Sequence, residues 1–256
     1  MKKRAFIMIS LGLIATGGMT IGVGRVSSQN QISGALTPQE IESKHSQIFP
    51  FGRHPIQETL SKTTGDVYLH GSFLSMQYQD FYTERPNPSN IARLEMESLT
   101  CSCSLVVLGK IGTGTSHVTA DSGFLYTDWG FLVEEVIRNN PDSSVTAGSS
   151  IAVVKAGGRL QIQGRMVYAI DDHFSDFQTG DEYLLFLHHI PKTGAYAAFR
   201  SIGYVFRGGK AIQLSTDGTT KVHTSALDQM DKNTLLNTAR TSAAATIGPG
   251  CRGVIQ

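Results

Sequence analysis

The chain has 256 residues, of which 40% are hydrophobic and 17% charged, with 27 glycines and a formal net charge of +1. That apolar share is enough to bury a core and excludes disorder throughout, while the low charge excludes a long charged coiled coil. Without Lys2, Lys3 and Arg4 at the extreme N-terminus the formal charge is about −2, so no basic surplus supports nucleic-acid binding.

The first 24 residues have the form of an export signal. Lys2, Lys3 and Arg4 precede an uncharged run from Ala5 to Gly24 whose apolar heart is Ala5 to Ala15. Small residues at Ala15 and Gly17, and again at Gly22 and Gly24, offer cleavage sites. The alternative is an uncleaved anchor, since a run of this length can just span a hydrocarbon core. Either way the body of the protein is expected outside the cytoplasm, secreted or periplasmic, and it meets the membrane only through this segment if it stays uncleaved. No cysteine stands directly after the run, which excludes a lipid-modified cysteine at a mature start.

Residues 25–88 read as a polar, partly ordered N-terminal region. Within it, a short helix is predicted after Thr37, with Pro38 at the first helical position and Glu40 and Glu42 near its start. Asp66 to Tyr78 is extended in character, a strand or a pair of short strands. Pro86-Asn87-Pro88-Ser89-Asn90 marks a boundary, and Ser89 or Asn90 can cap a helix running to about Leu99.

Strand signals dominate from there to residue 215. Ser104–Ile111 is an apolar run, and Gly109–Ser116 is read as a flexible loop leading to the next strand. Gly123–Ile137 is long enough for one bent strand, with Gly130 at the bend. Ser150–Lys155 ends at the turn signal Gly157-Gly158. Arg165–Ile170 is a fourth strand, Phe177–Glu182 a turn, and Glu182–His189 a core strand. Pro191–Gly194 turns the chain back through Ala195–Phe199, and Gly203–Phe206 pairs with Lys210–Leu214 around Gly208-Gly209. Residues 216–256 are predicted to hold a helix from about Ser225 to Thr241, capped by Ser225 with Asp228, and a loose Gly-rich tail. Six or seven strands with no intervening helix call for a mainly β fold: an antiparallel OB-like β-barrel at 89–215 with flanking helices.

Four stretches in this order carry a resemblance: Leu105–Ile111; Phe131–Ile137; Ile151–Val154 with Gly157-Gly158; and Phe177–Leu187. They resemble a class of uncharacterised exported bacterial proteins with an OB-like barrel and, more distantly, the netrin and metalloproteinase-inhibitor modules. The resemblance covers about residues 90–215 and implies a fold and a compartment. The inhibitor modules carry a Cys-x-Cys at the mature N-terminus, whereas Cys101-Ser102-Cys103 stands deep in this chain.

Cys101, Cys103 and Cys251 allow one disulfide at most. A bond from Cys101 or Cys103 to Cys251 would tie down the C-terminal tail, a bond between Cys101 and Cys103 would be strained, and all three as small buried residues is the alternative. Asp171-Asp172-His173-Phe174-Ser175-Asp176 is the densest group of metal-capable side chains, and Asp171, Asp172, His173 and Asp176 are the candidate ligands. A solvated loop between strands is the simpler reading. His188 and His189 are neighbours on a strand, point to opposite faces and cannot chelate one ion together. Lys110 precedes its glycines, the wrong order for a phosphate loop, and no nucleophile elbow, zinc-protease helix or dinucleotide fingerprint is present, so no cofactor is implied. Tyr126, Trp129, Phe131, Tyr183, Tyr196 and Tyr204 fit either a barrel core or a stacking face for a ligand. These readings favour an exported, non-catalytic protein that binds a protein or small-molecule partner. The alternatives are a secreted metal-dependent hydrolase using Asp171, Asp172, His173 and His188, and an extracellular protease inhibitor.

Overall fold

The computed structural model describes residues 36–49, 55–71, 90–139, 145–216 and 226–245. These contain four helices: α1 (Pro38–Ser46), α2 (Ile56–Lys62), α3 (Ile91–Ser102) and α4 (Lys232–Ala245). They also contain nine strands: β1 (Val67–Gly71), β2 (Leu105–Val118), β3 (Leu125–Arg138), β4 (Ser150–Ala156), β5 (Gly158–Ile162), β6 (Arg165–Asp171), β7 (Glu182–His189), β8 (Tyr196–Arg207) and β9 (Lys210–Gln213). The fold is mainly β, as the strand signals predict, but it has two sheets. The larger runs β4-β3-β2-β7-β8-β9, and the smaller β1-β6-β5. A two-residue parallel pairing, Val153↔Tyr196 and Val154↔Ala197, also joins β4 to β8.

The second sheet departs from the expectation of a single antiparallel one. Gly157 and Gly158 have φ of +96° and +141°, a combination that L side chains rarely adopt. They let the chain leave β4 and start β5 at once in a different sheet. There β6 pairs antiparallel with β5 and parallel with β1, from Val67↔Val167 to Gly71↔Asp171. The alternation Arg159-Leu160-Gln161-Ile162 carries β5, which the turn signal at the glycines hid.

Central strands read as continuous apolar runs because both faces are covered. On β2 and β7, Leu105, Val107, Tyr183, Leu185 and Leu187 enter one cluster with Phe131, Val153 and Tyr196. Val106, Leu108, Leu184 and Phe186 enter another, against Met96 and Leu99 of α3 and Leu235, Leu236 and Ala239 of α4. A third cluster joins Ile56 and Leu60 of α2 to Val67, Phe124, Leu125, Val167 and Ala169. Each Val, Leu, Ile, Phe or Met among them contributes roughly 1.5–3 kcal/mol by burial.

Several boundaries differ from the sequence reading. The stretch Gly109–Ser116 is not a loop but part of the 14-residue β2, paired with β3 as far as Val118↔Leu125. Its glycines serve close contact: a Cβ on Gly109 would stand 2.0 Å from the Leu132 carbonyl oxygen. The register shift opposite Gly130 falls in β2, between Ile111 and Gly114, and β3 is continuous. Tyr196–Phe199 and Gly203–Phe206 are parts of one strand, β8, and Ala195 lies just before it. Helix α3 runs past Leu99 to Ser102, with Asn90 at its N-cap. Helix α4 starts at Lys232, where Asp231 Oδ1 accepts from the Asn233 and Thr234 amides at 3.0 and 3.3 Å; Asp228 instead accepts from the Gln213 amide at 3.0 Å. The predicted helix after Thr37 is α1, closed by a capping box between Thr37 and Glu40. The leader, Ser89, Ser225, Cys251 and the C-terminal tail lie outside the described residues.

Candidate functional site

The candidate site is a groove of about 510 Å³ where the two sheets meet. Thr113, Gly114 and Ser116 of β2 and Thr127 and Trp129 of β3 form one side. Gly158 and Arg159 of β5 and the Asp176–Thr179 segment before β7 form the other. On β3, Thr127 and Trp129 turn toward the groove while Tyr126 and Asp128 turn toward α1, the two-residue alternation of a strand. Trp129 pairs across the ladder with Gly114, whose missing Cβ makes room for the indole: a Cβ there would lie 2.8 Å from the ring. Buried Phe177 meets the indole edge-on at 5.9 Å. Trp129 itself is only half-buried, unlike Tyr126, Phe131, Tyr183, Tyr196 and Tyr204, which are core.

The floor is built of hydroxyls and glycine backbone. Ser116 Oγ and Thr127 Oγ1 are 2.9 Å apart, Thr127 donates to the Gly157 carbonyl at 2.7 Å, and the Arg159 amide donates to Ser116 Oγ at 3.2 Å. A Cβ on Gly158 would stand 2.2 Å from Thr127 Oγ1, so this backbone lies directly against the pair. Arg159 is exposed and pairs across the small sheet with Tyr168, which pairs in turn with Tyr68. The two tyrosine rings stack at 4.9 Å, and Tyr68 is 62% exposed. A row Arg159–Tyr168–Tyr68 thus leads from the groove across the outer face of the sheet.

The metal candidates do not converge on one point. Asp171 is buried and accepts from the His173 amide at 3.0 Å; burial pushes its carboxyl up, against the opposing pull of Lys155. Asp172 pairs with His70 Nδ1 at 2.8 Å, Asp176 pairs with Lys155 at 3.0 Å, and His188 sits on β7 opposite Ala197. Among the described residues no three His, Cys, Asp or Glu side chains converge in a way that could hold a metal ion. Asp171 ends β6 and a turn closed by the Phe174 amide on the Asp171 carbonyl follows, so the three carboxylates take different partners although they are close in sequence.

Cys101 is disulfide-bonded and Cys103 is a free, buried thiol, pushed up to about 12 by desolvation between α3 and β2. A second group of polar side chains pins α1. Buried His45 contacts both Asp128 oxygens at 3.1 and 3.0 Å, His117 meets Glu42 at 3.1 Å and stacks on Tyr126, and Tyr126 donates to the Glu42 carbonyl. Neither this group nor the groove was picked out from sequence as a site. The legible signs were a lone tryptophan and a threonine on the core-facing side of β3.

Comparison with models of protein families gives no match, and comparison with curated proteins gives none.

Proposed function

We propose that this is an exported binding protein that holds a carbohydrate chain in the groove and along the Arg159–Tyr168–Tyr68 row. The observation that carries the reading is the pairing of a half-buried Trp129 with a hydroxyl floor. Sugar rings offer apolar C–H faces to aromatic rings and hydroxyls to Ser, Thr, Gln and Arg side chains, and a site of a few convergent polar groups beside apolar surface fits that chemistry. Arg159 and Asp176 bring one formal charge of each sign to the lining, so no strong field favours a polyanion.

The scaffold we propose is an OB-like barrel. The β4–β8 contact supports it, because it links the two ends of the run β4-β3-β2-β7-β8. Export is supported by the cationic start and apolar run of residues 1–24. N-terminal sequencing of the product collected outside the cells tests that point, and retention in the cytoplasm would refute it.

The chain has a single tryptophan, Trp129, so its fluorescence reports on the groove alone. Titration with soluble oligomers of N-acetylglucosamine, glucose and mannose should shift that emission saturably for at least one series. Trp129→Phe should keep binding, measured by calorimetry, and Trp129→Ala should lose tenfold or more, about 1.4 kcal/mol. Silence of both emission and calorimetry for all three series would retire the carbohydrate reading.

A further inference from the structure

Behind the groove lies a lysine in an unusual place. Lys155 follows Ile151 and Val153 at a two-residue spacing on β4, the spacing of the buried face, and its side chain is 3% exposed. Burying an ammonium ion is costly unless it is fully paired. Its Nζ lies 3.0 Å from Asp176 Oδ1 and 3.0 Å from the Ala156 carbonyl, and 5.2 Å from the centre of the Phe174 ring. Asp171, also buried, feels the charge of the lysine, while its carboxyl accepts from the His173 amide at 3.0 Å. A Gly157 Cβ would find the Asp171 amide nitrogen at 3.6 Å and Lys155 Nζ at 3.7 Å.

We propose that Lys155 and Asp176 join covalently, through an amide between Nζ and the side-chain carboxyl carbon, with Asp171 carrying the proton. The balance is simple. A proton passes from the ammonium across the intervening gap to Asp171 and frees the nitrogen lone pair. Nζ attacks Cγ of Asp176, and the C–N bond forms as one carboxyl oxygen leaves. That oxygen departs as water with protons drawn from Nζ, one of them relayed by Asp171, which ends as it began. An ammonium and a carboxylate become a neutral amide and one water, with no oxidant or co-reactant.

Three features favour this over a resting ion pair. The reacting groups are held in contact, which replaces a bimolecular encounter by a fixed geometry. The nitrogen end is dry and ringed by Phe174, so loss of both charges removes a desolvation cost. The aspartate end, 61% exposed, opens to the groove and gives the water a way out. Burial also holds the Asp171 carboxyl above the ordinary aspartate range, which suits a group that must keep a proton for a time. The proposal does not rest on what the groove binds, although the amide would take the Asp176 charge out of the lining and leave that of Arg159.

Intact-mass measurement of the exported full chain decides it. With the N-terminus sequenced and the disulfide reduced, the wild type should weigh one water less than its sequence. A protease digest should yield a branched peptide joining Lys155 to Asp176. Lys155→Arg and Asp176→Ala should show the full sequence mass, and Asp171→Asn a slower or incomplete loss. A folded wild type at full mass would overturn the cross-link and leave an ion pair only. Loss of water in Lys155→Arg would point to a cyclic aspartate product and overturn it too. Loss as complete and as fast in Asp171→Asn would remove Asp171 from the proton transfer.

Discussion

Glu95 shows how one side chain can set a pH dependence. It sits on α3 at 4% exposure, and its carboxyl is pushed up to about 7, chiefly by desolvation, with the Ala226 amide pulling the other way. A carboxyl raised on folding stabilises while protonated, so its contribution is complete below about 4.5 and is lost as pH rises through 7. Glu95→Gln should therefore match the wild type at pH 4 and exceed it above pH 7, by up to about 3 kcal/mol. Urea melts across that range measure the difference. If the two curves stay parallel, the burial does not act as described. At the corner between the sheets, Gly158→Ala adds a methyl against the Thr127 and Ser116 oxygens at a positive φ. It should cost about 1–3 kcal/mol, read as a drop in thermal midpoint.

At the scale of elements, caps and strand pairs decide where segments begin and end. Asp231 accepts two amides at the start of α4, so Asp231→Ala should cost about 1 kcal/mol in denaturant melts, whereas Asp228→Ala should leave helix content unchanged. Much at this scale was legible. Thr37 with Glu40 announces α1, and Glu182–His189 announces β7 by its unbroken apolar run. Sequence alone starts helix α4 too early, because Asp228 looks like a capping partner but spends its carboxylate on β9. Strand β5 was missed because Gly157-Gly158 reads as an end, when its positive φ values serve a change of sheet. The loop reading of Gly109–Ser116 failed for a related reason: those glycines permit close strand contact, which local composition does not reveal. The groove was hidden because its lining comes from four separate segments.

Across the whole molecule, tertiary ties connect segments far apart in sequence. Arg165 donates to the Leu60, Thr63 and Gly65 carbonyls and so fixes the end of α2 to β6, while Arg240 grips both Glu135 oxygens at 2.7 Å and fixes α4 to β3. The disulfide at Cys101 should add roughly 2–4 kcal/mol, so Cys101→Ser should lower the thermal midpoint. Cys103 should resist iodoacetamide in the native protein and react fully in denaturant, because its buried thiol is held far from ionisation. Rapid native labelling would contradict that burial.

The Gly157-Gly158 corner and the groove floor share their hydroxyls. Changing Ser116 or Thr127 to suit another ligand would thus disturb the join between the sheets. The side chains of Arg159 and Gln178 hold no part of this corner, and the Thr179 hydroxyl ties its own loop to the Gly112 carbonyl instead. Variants selected for a new ligand preference should therefore accumulate changes at the rim and leave 116, 127, 157 and 158 alone, in effect an adaptable mouth on an inherited hinge-pin.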